Sequence, residues 1–241
     1  MAENTGAPVQ VLVIEDEDDI RNLVVMNLRR AGFEVLSAGN GADGLSLLRQ
    51  HRPPVICLDL MLPDMSGQEI CAIVRQEPDI KNTFVIMVTA MTEEEDRIAG
   101  FQVGADDYVT KPFSVKELVL RVQVAARRAQ AQAQAAVPDA PSMPEKLSFP
   151  GLEIDTRAHR VWIAGEETEL TATEYKLLLH LSTSEGALCS RGELLEEVWE
   201  LPPTLNTRTV DTHVKRLRQK LGIAAGLVHT VRGAGYRFGE A

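Results

Sequence analysis

The chain has 241 residues, of which 44% are hydrophobic and 25% charged, the balance of a soluble globular protein long enough for two ordinary domains. A formal net charge of −10 argues against general nucleic-acid binding. No apolar run approaches the roughly 18 residues of a membrane span, and the opening MAENTGAPVQ lacks the charged-then-apolar order of an export signal, so a cytoplasmic protein with no membrane partner is expected.

Residues 9–14 form an apolar strand that runs into Glu15 and Asp16. Ile20, Leu23, Val24 and Leu28 then recur at helical spacing, and Gly32 stops that helix before a strand at 33–37 and a helix at 41–50. The strand 55–59 carries Asp59 at its end. Leu62-Pro63-Asp64 and Ser66-Gly67 supply turn chemistry before a helix at 68–77. Strands at 83–89 and 107–110 and helices at 94–102 and 114–128 complete the series. This (βα)5 order calls for a doubly wound parallel sheet, an α/β domain covered on both faces.

In such a sheet ligand chemistry gathers outside the carboxyl ends of the strands. Those ends bring Glu15, Asp16, Asp59, Thr89 and Lys111 to one crevice. Singly, each has a plain explanation: Asp59 a helix cap, Lys111 a solvated lysine, Thr89 a satisfied strand hydroxyl. Together at strand ends they point to a site. Three carboxylates repel unless a cation joins them, and oxygen-only ligands select Mg²⁺. A lysine and a hydroxyl beside it suit phosphoryl oxygens.

The motifs IEDEDD, LDLMLPDMSG, VTA at 88–90 and GADDYVTKPF at 104–113 make residues 8–128 resemble the flavodoxin-like receiver domain of a two-component response regulator. The resemblance implies that a sensor histidine kinase phosphorylates Asp59. It further implies that Glu15, Asp16 and Asp59 bind Mg²⁺ with the Met61 carbonyl, that Thr89 and Lys111 bind the phosphoryl group, and that Tyr108 is the switch aromatic. A cis peptide before Pro112 would aim Lys111. Phosphorylation would drive dimerisation through residues 94–102, 107–110 and 114–128, with Arg97, Asp107, Glu117 and Arg121 as exposed charge pairs. An aspartate-nucleophile phosphatase resembles the same site but needs a second Asp two positions on, where this chain has Met61. The phosphoryl group is therefore expected to be stored rather than turned over, with Met61 and Met91 overhanging it.

Residues 129–146, with Pro138, Pro141 and Pro144, read as a linker whose Ala and Gln residues extend the preceding helix by a turn or two. Three cysteines, Cys57, Cys71 and Cys189, fit no zinc or redox spacing and read as core thiols. Strands at 147–154, 160–163 and 168–170 suggest a small antiparallel sheet. Thr171 with Glu174 and Ser190 with Glu193 are capping boxes that open two helices. A third helix, 207–221, places Val210, Val214, Leu217 and Leu221 on one face. Its opposite face carries Arg208, Thr212, Lys215, Arg216 and Gln219, flanked by His213 and Arg218. Residues 207–241 hold 7 basic and 2 acidic side chains, against 5 and 13 in residues 129–206, so the basic charge is concentrated here. A hairpin, 228–231 with 236–238, follows. A helix-turn-helix with such a wing presents the stripe to a DNA major groove and Arg232 to the neighbouring minor groove.

Through LTATEYKLL, SRGELLEEVW, TRTVDTHVKRLRQKL and HTVRGAGYRF, residues 147–241 resemble the winged helix-turn-helix effector domain of OmpR/PhoB-type regulators. That resemblance implies promoter DNA as partner, wing contacts from Thr230 and Arg232, and a loop at 200–206 that faces RNA polymerase. A different function, a regulator using its basic helix to bind proteins, would lack the salt dependence of DNA binding.

Overall fold

The computed structural model describes residues 8–89, 104–134, 145–184, 186–205 and 209–239, with 131–134 described in backbone alone. The chain divides into two compact units, Met1–Ala135 and Ala136–Ala241.

In the first unit β1 (Gln10–Ile14), β2 (Glu34–Ala38), β3 (Val55–Asp59), β4 (Phe84–Thr89) and β5 (Asp107–Thr110) form one parallel sheet in the order β2-β1-β3-β4-β5. Helices α1 (Asp18–Arg30), α2 (Gly41–His51), α3 (Gly67–Gln76) and α4 (Val115–Gln134) cover it. Side chains alternate between the faces of a strand, and both faces here are dry, which is why these strands read as nearly continuous apolar runs. Leu12, Ile14, Ile56, Leu58 and Met87 pack with Leu45, Leu48, Ile70 and Val74. Val11, Val13, Cys57, Ile86 and Val88 pack with Val24, Leu28, Leu118 and Val122 on the other side. Because β1 has β2 on one side and β3 on the other, the winding reverses there and a crevice opens beyond Ile14 and Asp59. Helix α4 runs on to Gln134, so the first residues of the expected linker are helical. The helix expected at 94–102 lies outside the described residues.

The second unit opens with an antiparallel sheet of β6 (Lys146–Phe149), β7 (Leu152–Asp155), β8 (Arg160–Ile163) and β9 (Glu166–Glu167). The single strand expected at 147–154 is a hairpin instead. Pro150 and Gly151 turn the chain, with Gly151 at φ +73°, a conformation that glycine adopts without Cβ strain. The expected strand at 168–170 is absent, its place taken by β9. Both capping boxes form, at the starts of α5 (Ala172–Thr183) and α6 (Arg191–Trp199). Helix α7 (Thr209–Leu221) buries Val210, Val214, Leu217 and Leu221 and packs on α5 and α6, in which Leu178, Leu181, Leu195 and Val198 are buried too. Finally β10 (Cys189–Ser190), β12 (Gly235–Phe238) and β11 (Val228–Val231) form a three-stranded sheet in that order. No helix among the described residues is long and apolar enough to cross a membrane.

Candidate functional sites

Asp59 ends β3 and is 95% shielded from solvent, and Glu15, the residue after β1, is equally enclosed. Asp16 is exposed at the rim. One carboxylate oxygen from each of the three can be chosen so that all lie within 4.8 Å of one another, a spacing that suits a hard cation with oxygen ligands. Lys111 reaches in from the end of β5, its Nζ donating to Asp59 Oδ2 at 2.6 Å and to Glu15 Oε1 at 2.9 Å. The Lys111-Pro112 peptide is cis, as expected. The Lys111 amide also donates to the Thr89 carbonyl at 2.6 Å, which ties the ends of β4 and β5 together with Thr89 buried beside the crevice. Asp59 Oδ1 accepts the Met61 amide at 3.1 Å.

The electrostatics follow from the crowding. Burial pushes the Glu15 carboxyl up to about 7; the Lys111 ammonium opposes that shift and the neighbouring Asp59 adds to it. Burial alone would lower the Lys111 ammonium, but its bonds to Asp59 and Glu15 outweigh burial and raise it. The crevice thus holds more carboxylate than one lysine balances.

In the second unit α7 departs from the sequence expectation. Lys215 and Gln219 are exposed, but Thr212, His213 and Arg216 are buried. The His213 ring packs edge-on against Trp199 at 5.0 Å between centroids, so it belongs to the core. Periodicity of apolar residues marks only part of the buried arc, which polar side chains widen here. Arg218 donates from α7 to the Val228 carbonyl and to Thr230 Oγ1, so these two expected DNA contacts bind each other. Arg232 is exposed at the wing tip. Arg208 lies outside the described residues.

Two family descriptions match the chain: "Response regulator receiver domain" over residues 11–123 and "Transcriptional regulatory protein, C terminal" over residues 165–238. The transcriptional regulatory protein SrrA of Staphylococcus aureus is 42% identical over 233 residues, 95% of this chain and 95% of its own. The chain is a two-component response regulator of the OmpR/PhoB family. Among solved structures, a mutant of RitR is 25% identical with a TM-score of 0.65, covering 97% of this chain and 100% of that one. DrrB, described as a Thermotoga maritima OmpR/PhoB homolog, is 31% identical with a TM-score of 0.47, covering 96% and 99%.

The regulator's expected dimer residues are placed differently from the exposed pairs anticipated. Arg121 is buried within the protomer, its guanidinium donating to Asp107 at 2.7 and 2.6 Å and to Glu117 at 3.1 and 2.8 Å. Two acidic partners make its enclosure tolerable. Arg97 lies outside the described residues, as does Met91. Tyr108 is buried, its ring packed in the α2–α3 core with Ala105 and Met87.

Three further residues hold the regulator's crevice; the sequence marked Asp64 and Gly67 only as turn residues and did not mark Arg21. Arg21 on α1 donates to the carbonyls of Glu15 at 2.7 Å and Asp16 at 3.1 Å and pairs with Asp18. Asp64 reaches from the loop after Asp59 to cap α2, accepting the Gly41 and Ala42 amides at 2.7 and 2.8 Å, and those bonds hold its carboxyl below the usual range. Gly67 packs so closely on the Asp59 carbonyl that a Cβ would lie 2.2 Å from its oxygen. An acidic residue in the first-turn region of a helix is a signal for Arg21's partner, whereas Asp64 serves a helix 23 residues away and leaves no local pattern.

Proposed function

We propose that this cytoplasmic regulator is phosphorylated on Asp59 by a sensor histidine kinase, dimerises, and then binds promoter DNA to alter transcription. The observation that carries the first step is Lys111 bridging Asp59 and Glu15 where the winding of the sheet reverses. Glu15, Asp16 and Asp59 offer hard oxygen donors of the kind Mg²⁺ takes, and the Met61 carbonyl would join them. When bound, that ion would neutralise charge on the phosphoryl oxygens.

The chain's own groups define the rest. An Asp59 carboxylate oxygen attacks phosphorus, forming a P–O bond as the bond to the donor's leaving group breaks, and the leaving group takes its electron pair away. Lys111 must then leave Asp59 Oδ2 for a phosphoryl oxygen, and Thr89 supplies a second donor. Tyr108 is the switch aromatic in this reading. Residues 94–102, β5 and α4 form the dimer face, with Arg97, Asp107, Glu117 and Arg121 exchanging partners across it. Two effector units then occupy two half-sites about one helical turn apart. Arg208, Lys215, Gln219 and Arg232 meet the DNA, and the loop 200–206 faces RNA polymerase. The group is stored rather than turned over, a reading supported by Met61, exposed at the position where a hydrolase carries its acid.

The test is labelling with a small-molecule phosphodonor and Mg²⁺. Wild type should take up acid-stable, hydroxylamine-sensitive phosphate and Asp59→Asn none, with both folded. Equal labelling would place the acceptor elsewhere. Sequence selection from a random DNA pool, with and without the donor, tests the output.

A further inference from the structure

Tyr236 on β12 is the centre of a network that draws on four elements. Its ring is buried, and its hydroxyl donates to Asp211 on α7. Arg191, the first residue of α6, donates to the same carboxylate at 2.9 Å and lays its guanidinium over the Tyr236 ring, 5.2 Å from the centroid. Arg218 lies 5.7 Å over that ring as well. Its Nε and Nη2 donate to the Val228 carbonyl at 3.0 and 2.7 Å, and Nη2 reaches Thr230 Oγ1 at 2.8 Å. Thr230 is the cross-strand partner of Tyr236. Asp211 and Arg218 are seven residues apart on α7, two turns along one side of the helix, so the helix grips both strands of the wing at two levels.

We propose that Arg218, Asp211 and Tyr236 are positioning residues that clasp the wing to α7, and that Arg218 and Thr230 serve DNA recognition through this clasp rather than by touching DNA. The proposal rests on the reading that α7 and the wing tip meet DNA together. A helix in the major groove and Arg232 in the adjacent groove must keep one spacing, because a site loosened by about 1 Å loses much of its complementarity. The bonds to the Val228 carbonyl and the Thr230 hydroxyl take the Nε and Nη2 protons of Arg218, so a phosphate could be gripped by both arms of the guanidinium only by displacing them. Burial and the bond to Asp211 push the Tyr236 hydroxyl up to about 12, so the donor keeps its proton throughout the neutral range.

Arg218→Lys separates the two roles. A lysine keeps a phosphate contact as a point charge but lacks the planar fork that chelates a carbonyl and a hydroxyl together. On DNA selected with the wild-type full chain, Arg218→Lys, Arg218→Ala and Tyr236→Phe should each bind about tenfold more weakly, the order of one lost charge-assisted bond. The slope of affinity against salt should stay that of wild type. In the free protein, amide exchange at residues 228–231 and 235–238 should accelerate in all three variants and not in Lys215→Ala. Wild-type affinity in Arg218→Lys, or a salt slope reduced by about one in Arg218→Ala, would make Arg218 a phosphate contact and overturn the proposal. Unchanged exchange in the variants would overturn the clasp itself. A wild-type chain that selects no sequence would instead remove the reading of α7 on which the DNA arm depends.

Discussion

The crevice of the receiver and the clasp of the effector are both clusters of charge, and they are built to opposite ends. In the crevice, Glu15, Asp16 and Asp59 face one lysine. In the clasp, two guanidiniums share one carboxylate, one phenol and the acceptors of β11. The first cluster sets three carboxylates against one lysine, and burial there disfavours the ionised form of Glu15. The second directs its donors to acceptors within the domain and closes on itself. Charge imbalance among enclosed groups therefore marks where chemistry is expected, and mutual satisfaction marks where geometry is being held.

Removing a carboxylate from each cluster breaks this comparison open and should have the largest effect. Glu15→Gln should stabilise the metal-free receiver at pH 8 by on the order of 1–3 kcal/mol, whereas Asp211→Asn should destabilise the effector. The pH dependence has a definite sign. Glu15 ionises near 7 in the folded chain against an ordinary 4.5, so its contribution makes stability fall as pH rises from 4.5 to 7 and stay low above. Mg²⁺ should reverse the order of wild type and Glu15→Gln, since a cation rewards the ionised carboxylate. Both tryptophans, Trp162 and Trp199, are in the effector, so indole fluorescence follows that unit while far-UV dichroism follows both. Equal signs in the two variants would end the distinction.

A smaller effect sharpens the effector side. Lys215→Ala should weaken binding to all sequences alike, about tenfold, with the salt slope reduced by about one. Arg216→Ala should mainly lower the effector's unfolding midpoint, because that side chain is enclosed. A normal midpoint with relaxed preference at one base position would return Arg216 to the reading face.

The smallest expected effect is kinetic. Met61 is 66% exposed beside the crevice and offers no polar group to orient an attacking water. Phosphate release should be a few-fold faster in Met61→Asn with Met91→Glu, measured in excess Mg²⁺. Equal release rates would show that the thioethers do not protect the acyl phosphate.

The sequence made the sheet legible because each strand is an apolar run ending in a polar residue, and a doubly wound sheet brings such ends together. Lys111, Asp59 and Glu15 could be grouped on that ground before any distance was known. The extent of burial on α7 could not. Thr212, His213 and Arg216 are polar residues enclosed by tertiary packing, and a helical wheel assigns polar residues to water. The clasp was invisible for a related reason: Arg191, Asp211 and Tyr236 are separated by 20 and 25 residues, with no shared local pattern. Pro150-Gly151 was a readable turn signal that the apolar run around it obscured.

The order of strands in the wing sheet also bears on how the effector is assembled in time. Tyr236 on β12 pairs with Cys189 on β10, so the sheet closes only after α6, α7 and the hairpin have been made and brought back together. Loop-closure entropy makes such long-range pairing slow, and synthesis from the N-terminus completes all five receiver strands before β12 exists. Nascent chains should accordingly pass through a species whose receiver is complete while its final sheet is open. In that species Arg218 has no hairpin carbonyl to hold, and the basic helix is free to adhere to any polyanion. On the proposed reading of α7, closure of the last strand is thus also the step that turns an indiscriminate cation into a selective one.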